Sequence, residues 1–231
     1  MQHRTVEGRL AYIGPRGTDR GREAFSITVH GDGSRILRAR SEIDETEVLR
    51  DVTYTVGGDW RPHDAFVRLT VEDRFQGSGW FVFDDSGASV ETLTADEGRL
   101  SQRLEVPGGA QCFGAHPISG DAWMVTPFDL NGDRVQWVER ALMSSLAFNG
   151  ATGPKLHRLR YGLEFVGREV LEVPAGRVPA RHFRFLLDGT EVDGHPEYRI
   201  WVSDDDDCVI VQSTVGAPRD YTYQLVSLHR R

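Results

Sequence analysis

The chain has 231 residues, 39% hydrophobic and 10% aromatic, and a formal charge of −8. This is enough apolar material for a sizeable core, and the acidic balance argues against the clustered positive charge by which phosphate backbones and anionic membranes are bound. No run approaches the roughly 18 apolar residues of a membrane-spanning helix, and the opening MQHRTVEGRLAYIG has neither the apolar run nor the cleavage pattern of a secretory leader. The expectation is a cytoplasmic protein with no nucleic-acid and no membrane partner.

In chain order, 5–13 and 23–30 alternate apolar with polar residues, and HGDGS at 30–34 suits a hairpin turn. Strands follow at 35–43, 48–56 and 65–75, the last carried by Phe66, Leu69 and Val71, and Gly77-Ser78-Gly79 reads as the next turn. Segments 80–83, 89–94 and 99–106 complete a first meander.

Segment 107–154 breaks the rhythm. Its first part holds Pro107, Gly108, Gly109, Gly114, Pro117 and Gly120, a density that predicts a long structured loop. From Asp133, apolar Val135, Val138, Leu142 and Leu146 recur at helical spacing. Gln136 stands in capping-box position and Asn149-Gly150 is a stop, which predicts one short helix; alternation of Val135, Trp137 and Glu139 is the competing strand reading. Strand patterns return at 156–166, 168–173, 181–187, 198–203, 208–214 and 221–228.

Right-handed twist accumulates in so long a meander, and open edges invite aggregation, so the sheet should curl. The expected fold is mainly β: a large antiparallel meander curled into a barrel or half-barrel, lipocalin-like in general shape, with one short helix in the middle. It is read as a single domain, 1–231, whose halves 1–106 and 155–231 are joined by the central segment 107–154.

The stretches EVPAGRVPARHFRF (172–185), EYRIWVSDDDDCVIVQST (197–214) and YTYQLVSL (221–228) carry a Val-Pro-small-Gly turn, an aromatic strand, a Trp-containing strand before an acidic turn, and a closing strand. In these features the chain resembles the C-terminal half of an uncharacterised bacterial domain-of-unknown-function family of curved antiparallel sheets. The resemblance covers about one third of the chain and implies a fold, since its motifs are turn and core signals.

The richest chemistry lies in 107–154. His116 and Asp121 sit in one loop, where a carboxylate can orient an imidazole for acid–base work, and Pro117 stiffens the chain after the histidine. Cys112 and Cys208 are too few and too distant for a disulfide framework or zinc site and read as buried thiols. Cys112 with His116 lacks a thiol-enzyme signature, and Ser144 and Ser145 lack a nucleophile elbow. They read as a pair closing the helix. Asp129-Leu130-Asn131-Gly132-Asp133 imitates a calcium loop but places Arg134 and Arg140 where glycine and glutamate belong. The acidic run 204–207 reads as a solvated turn. Neither a dinucleotide fingerprint, a P-loop nor a zinc-hydrolase motif occurs, so no cofactor and no metal is expected.

Aromatic residues are numerous, and a curled sheet this large can enclose a cavity. Trp80, Trp123, Tyr198 and Trp201 are the candidate lining, with Arg181 or Arg199 placed to meet a ligand carboxylate. The function expected is binding of a small hydrophobic or aromatic molecule inside the sheet, with 107–154 as its lid. The alternative is a cofactor-independent lyase, isomerase or hydratase in which His116 is base or acid and Asp121 orients it.

Overall fold

The computed structural model describes residues 3–231. Fifteen strands form one sheet: β1 (Arg4–Ile13), β2 (Asp19–Val29), β3 (Arg35–Ile43), β4 (Val48–Val56), β5 (Pro62–Val71), β6 (Arg74–Asp84), β7 (Gly87–Thr94), β8 (Gly98–Glu105), β9 (Cys112–Gly114), β10 (Val135–Met143), β11 (His157–Val173), β12 (Gly176–Leu186), β13 (Tyr198–Ser203), β14 (Ile210–Val215) and β15 (Tyr221–Arg230). Their spatial order is β8 back through β1, then β15 back through β9, so β1 and β15 pair and join the two meanders. Every pairing is antiparallel except β9 with β10.

The alternation that marks each strand in sequence marks its inner face in space. Along β4, Val48, Arg50, Val52, Tyr54 and Val56 are buried; along β6, Phe81 and Phe83 are buried while Trp80 and Val82 are exposed. The sheet curls until β8, at one edge, meets the start of β11 near the other. The Leu156 amide donates to Gln102 Oε1 at 3.0 Å, and Arg158 Nη2 donates to the Glu105 carbonyl at 2.5 Å.

Three local expectations are corrected. Gly77-Ser78-Gly79 is not a turn but the middle of β6, and a Cβ on Gly77 would lie 2.6 Å from Pro154 Cδ. The glycines are there to let Pro154 pack against the strand. The real turn is Glu72-Asp73, both with positive φ. The helix expected from Asp133 is strand β10; the Gln136 side chain donates to the carbonyls of Asp129 and Asp133 and accepts from the Asp129 amide, closing a loop before the strand. The short helix lies earlier, at α1 (Ile118–Asp121), and runs into a single 3-10 turn at Ala122–Val125. Ser144 and Ser145 accordingly follow a strand, not a helix.

The segment expected to cover the barrel runs through it. Ala122, Trp123, Met124 and Val125 are each 4% exposed or less. Phe113 packs on Tyr54, Phe81 and Phe83, with centroids at 5.8, 4.8 and 5.0 Å. Trp123 packs on Tyr54 and Trp60. The interior of the first meander is therefore packed with segment 107–154, and a space remains beside α1, facing the second meander. The acidic run is also more than a solvated turn, because Asp207 is buried and pairs with Arg4 and Arg230.

Cys112 and Cys208 are buried free thiols that touch this inner segment. Cys112 Sγ lies 3.0 Å from Tyr161 Oη, Cys208 Sγ lies 3.2 Å from the Ala122 carbonyl, and burial pushes both thiols up to about 12. Only the thiolate is alkylated readily. Folded protein treated with iodoacetamide near pH 8 is expected to stay unmodified by mass spectrometry, and denatured protein to gain two adducts; rapid labelling of the folded chain would show that the interior opens.

Candidate functional site

A cavity of about 120 Å³ remains between α1, the second meander and the loops 144–150 and 187–196. Met124, Met143, Phe148, Phe185, Leu187 and Val215 supply apolar walls, and His116, Asp121, His195, Tyr198 and Tyr223 supply polar atoms. The volume is near that of an engineered cavity of about 150 Å³ that admits benzene.

His116 is held at φ 74°, an unusual conformation for a side-chain-bearing residue. Its Nε2 lies 2.8 Å from the Ser145 carbonyl. A carbonyl only accepts, so Nε2 carries the proton and Nδ1 is the basic nitrogen. Burial, then the charge of Arg50, pushes the imidazole pKa down to about 3. Gly150 permits this arrangement: at φ 60°, its Cβ would lie 2.6 Å from both His116 Cγ and Arg50 Nη2.

Asp121 moves the opposite way. Burial pushes its carboxyl up to about 7, against the 2.8 Å hydrogen bond donated by Tyr198 Oη, and the charge of Glu23 adds to the rise. The expected His116–Asp121 couple is thus not formed. Each residue lines the cavity but is oriented by a different partner, Ser145 in one case and Tyr198 in the other.

The residues expected at a ligand separate in space. Tyr198 lines the cavity opposite Phe185, its register partner. Arg199 and Trp201 alternate onto the other face, where Arg199 meets Glu197 and Trp201 stacks on His182 at 4.0 Å. Trp80 points outward and is 57% exposed. Trp123 is core and lies outside the cavity wall. Arg181 lies further along β12, bonded to the carbonyls of Ser203 and Asp205. Of the eight histidines, His116 and His195 line the same cavity while His182 stacks on Trp201, and no group of three or more His, Cys, Asp or Glu side chains placed to hold a metal occurs among the described residues.

Two charged residues that the sequence reading passed over hold the site together. Glu23, 1% exposed, accepts from Tyr12 Oη (2.5 Å), Ser41 Oγ (2.9 Å) and the amides of Ile118 (2.9 Å) and Ser119 (2.8 Å), and so fixes the start of α1. Arg50, 2% exposed, donates to the Asn149 carbonyl at 2.6 Å and the His116 carbonyl at 3.4 Å, and so ties loop 144–150 to the inner segment. The signal was present: both stand at inward positions of otherwise apolar alternation, Glu23 in register with Phe25 and Ile27, and Arg50 with Val48 and Val52.

The same architecture occurs in a β-barrel-like protein of the domain of unknown function DUF1849 from Brucella abortus, at TM-score 0.58 and 13% identity over 99% of this chain and 97% of that one. The chain has a β-barrel-like fold. A DUF1089 family protein from Pseudomonas aeruginosa is also similar, at TM-score 0.48 and 12% identity over 85% of this chain and 90% of that one. No family model matches the sequence, and no curated protein matches it. The β-barrel-like fold accords with the curved sheet implied by 172–228, and at such identities the likeness extends to fold alone.

Proposed function

We propose that the chain binds a small apolar or aromatic molecule carrying one polar group, in the cavity beside α1. The observation that carries this reading is the lining itself: a ring-sized, mainly apolar space into which an imidazole, a carboxyl and a phenol converge. Asp121 near pKa 7 can donate or accept, and Nδ1 of His116 accepts. Loop 144–150, rather than the whole central segment, covers the space.

Binding is favoured over the lyase, isomerase or hydratase reading by two facts. The carboxylate does not orient the imidazole, and an imidazole pushed down to about 3 is a weak base at neutral pH. Titration calorimetry with phenol, benzyl alcohol and 1-hexanol tests the proposal. At least one should bind, and Ala147→Phe, which fills the cavity from its covering loop, should weaken it roughly tenfold or more. Failure of every probe to bind, or binding untouched by Ala147→Phe, would remove the cavity as the site.

A further inference from the structure

Beside the main cavity lies a second space of about 40 Å³, bordered by Arg20, Arg50, Tyr12 and Asn149 and sharing His116, Ile118, Phe148 and Tyr223 with the first. It exceeds the 10–15 Å³ or so that one water requires and matches a group of two or three polar atoms. Two guanidinium groups border so small a volume, and neither is fully used by the protein.

Arg50 makes two hydrogen bonds, both to carbonyls, from a group with five N–H donors. Its nearest carboxylates, Glu23 and Asp121, act on it only through space: Glu23 is committed to its four donors and Asp121 to Tyr198. Arg20 is 5% exposed and holds Glu45 through Nε and Nη2, which leaves Nη1 buried without a partner. Burying a guanidinium with no anion in hydrogen-bond contact costs several kcal/mol, a cost that Arg50 carries and that Glu45 relieves for Arg20. A planar anion with two oxygens is what such N–H forks complement.

We infer that the ligand is a small organic acid, with its carboxylate in the space between Arg50 and Arg20 and its apolar or aromatic body in the adjoining cavity. The inference rests on the binding function proposed above and narrows it to one chemical class. It also replaces Arg181 and Arg199 as the carboxylate partners. Tyr223 lines both spaces and marks where head and body of the ligand meet.

The test uses matched pairs differing only in the head group, benzoate against benzyl alcohol and hexanoate against 1-hexanol, titrated calorimetrically at neutral pH. At least one acid should bind roughly tenfold or more tightly than its alcohol. Arg50→Met should erase that preference, leaving acid and alcohol bound equally whatever their common affinity, and Arg20→Gln should reduce it. Should Arg50→Met fail to fold, the wild-type pairs and Arg20→Gln decide. Equal affinity for acid and alcohol, or a preference that survives both substitutions, overturns the acid assignment and leaves the cavity reading intact. Absence of binding by all four compounds overturns both.

Discussion

Replacing Asp121 with asparagine is expected to stabilise the protein at neutral pH and to leave it little changed near pH 4. Asparagine keeps an acceptor for Tyr198 Oη but carries no charge to bury. The carboxyl has a folded pKa of about 7 against 3.8 for the free group. Protons are therefore bound more tightly in the folded state, and the favourable contribution is complete below about 3.8 and is lost as pH rises to about 7. Three pKa units correspond to up to about 4 kcal/mol.

His116 has the opposite slope. Its folded pKa near 3 lies below the ordinary 6.5, so its contribution is present above 6.5 and is lost as pH falls towards 3. In the wild type the two slopes oppose one another between about pH 4 and 6.5. In Asp121→Asn only the histidine's remains, so the variant's stability should climb steeply across that window. Urea unfolding of both proteins at pH 4, 5.5 and 7.5 or so reads the difference directly. A variant that tracks the wild type within about 1 kcal/mol at every pH would show that Asp121 is not held protonated. A carboxyl retained against stability is what a binding site, rather than a packing position, would require.

The strands were legible because burial in a curled sheet follows a period of two, and β3 and β4 begin and end where the alternation does. Strand β10 was legible only as the competing reading, from the alternation of Val135, Trp137 and Glu139, and the reason the helix reading outranked it is local. A register shift between Val138 and Ala141 moves the inward face by one residue, so buried Val138, Ala141 and Leu142 fall at intervals of three and four, the spacing of a helix. Gly77 and Gly79 misled for a different reason: their role is set by Pro154, far along the chain, and no neighbouring residue betrays it. The site divides the same way. Segment 107–154 stood out by composition, and it does supply His116 and Asp121 to the cavity wall. Which tryptophans and arginines point inward depended on strand phase, and Trp80, Trp201 and Arg199 lie on the outward phase of their strands.

Glu23→Gln is expected to destabilise the fold by about 2–4 kcal/mol, and Glu23→Ala by more, although neither residue at position 23 would touch the main cavity. The carboxylate receives donors on both oxygens: Ser119 N on Oε1, and Ile118 N, Tyr12 Oη and Ser41 Oγ on Oε2. Glutamine can offer an acceptor to only one side, so its amide N–H₂ must face an N–H or hydroxyl donor whichever way it is turned. Charge is lost as well, since Glu23 helps to offset the buried Arg50 cation. The damage should concentrate at α1. Amide exchange at Ile118 and Ser119 is expected to accelerate far more than exchange in β3 or β4, and affinity for the cavity ligand should fall with it because Asp121 sits one turn further on. Unfolding within about 1 kcal/mol of wild type for Glu23→Gln, with α1 amides still protected, would show that the inner segment is held by its apolar contacts alone and that the buried carboxylate is dispensable.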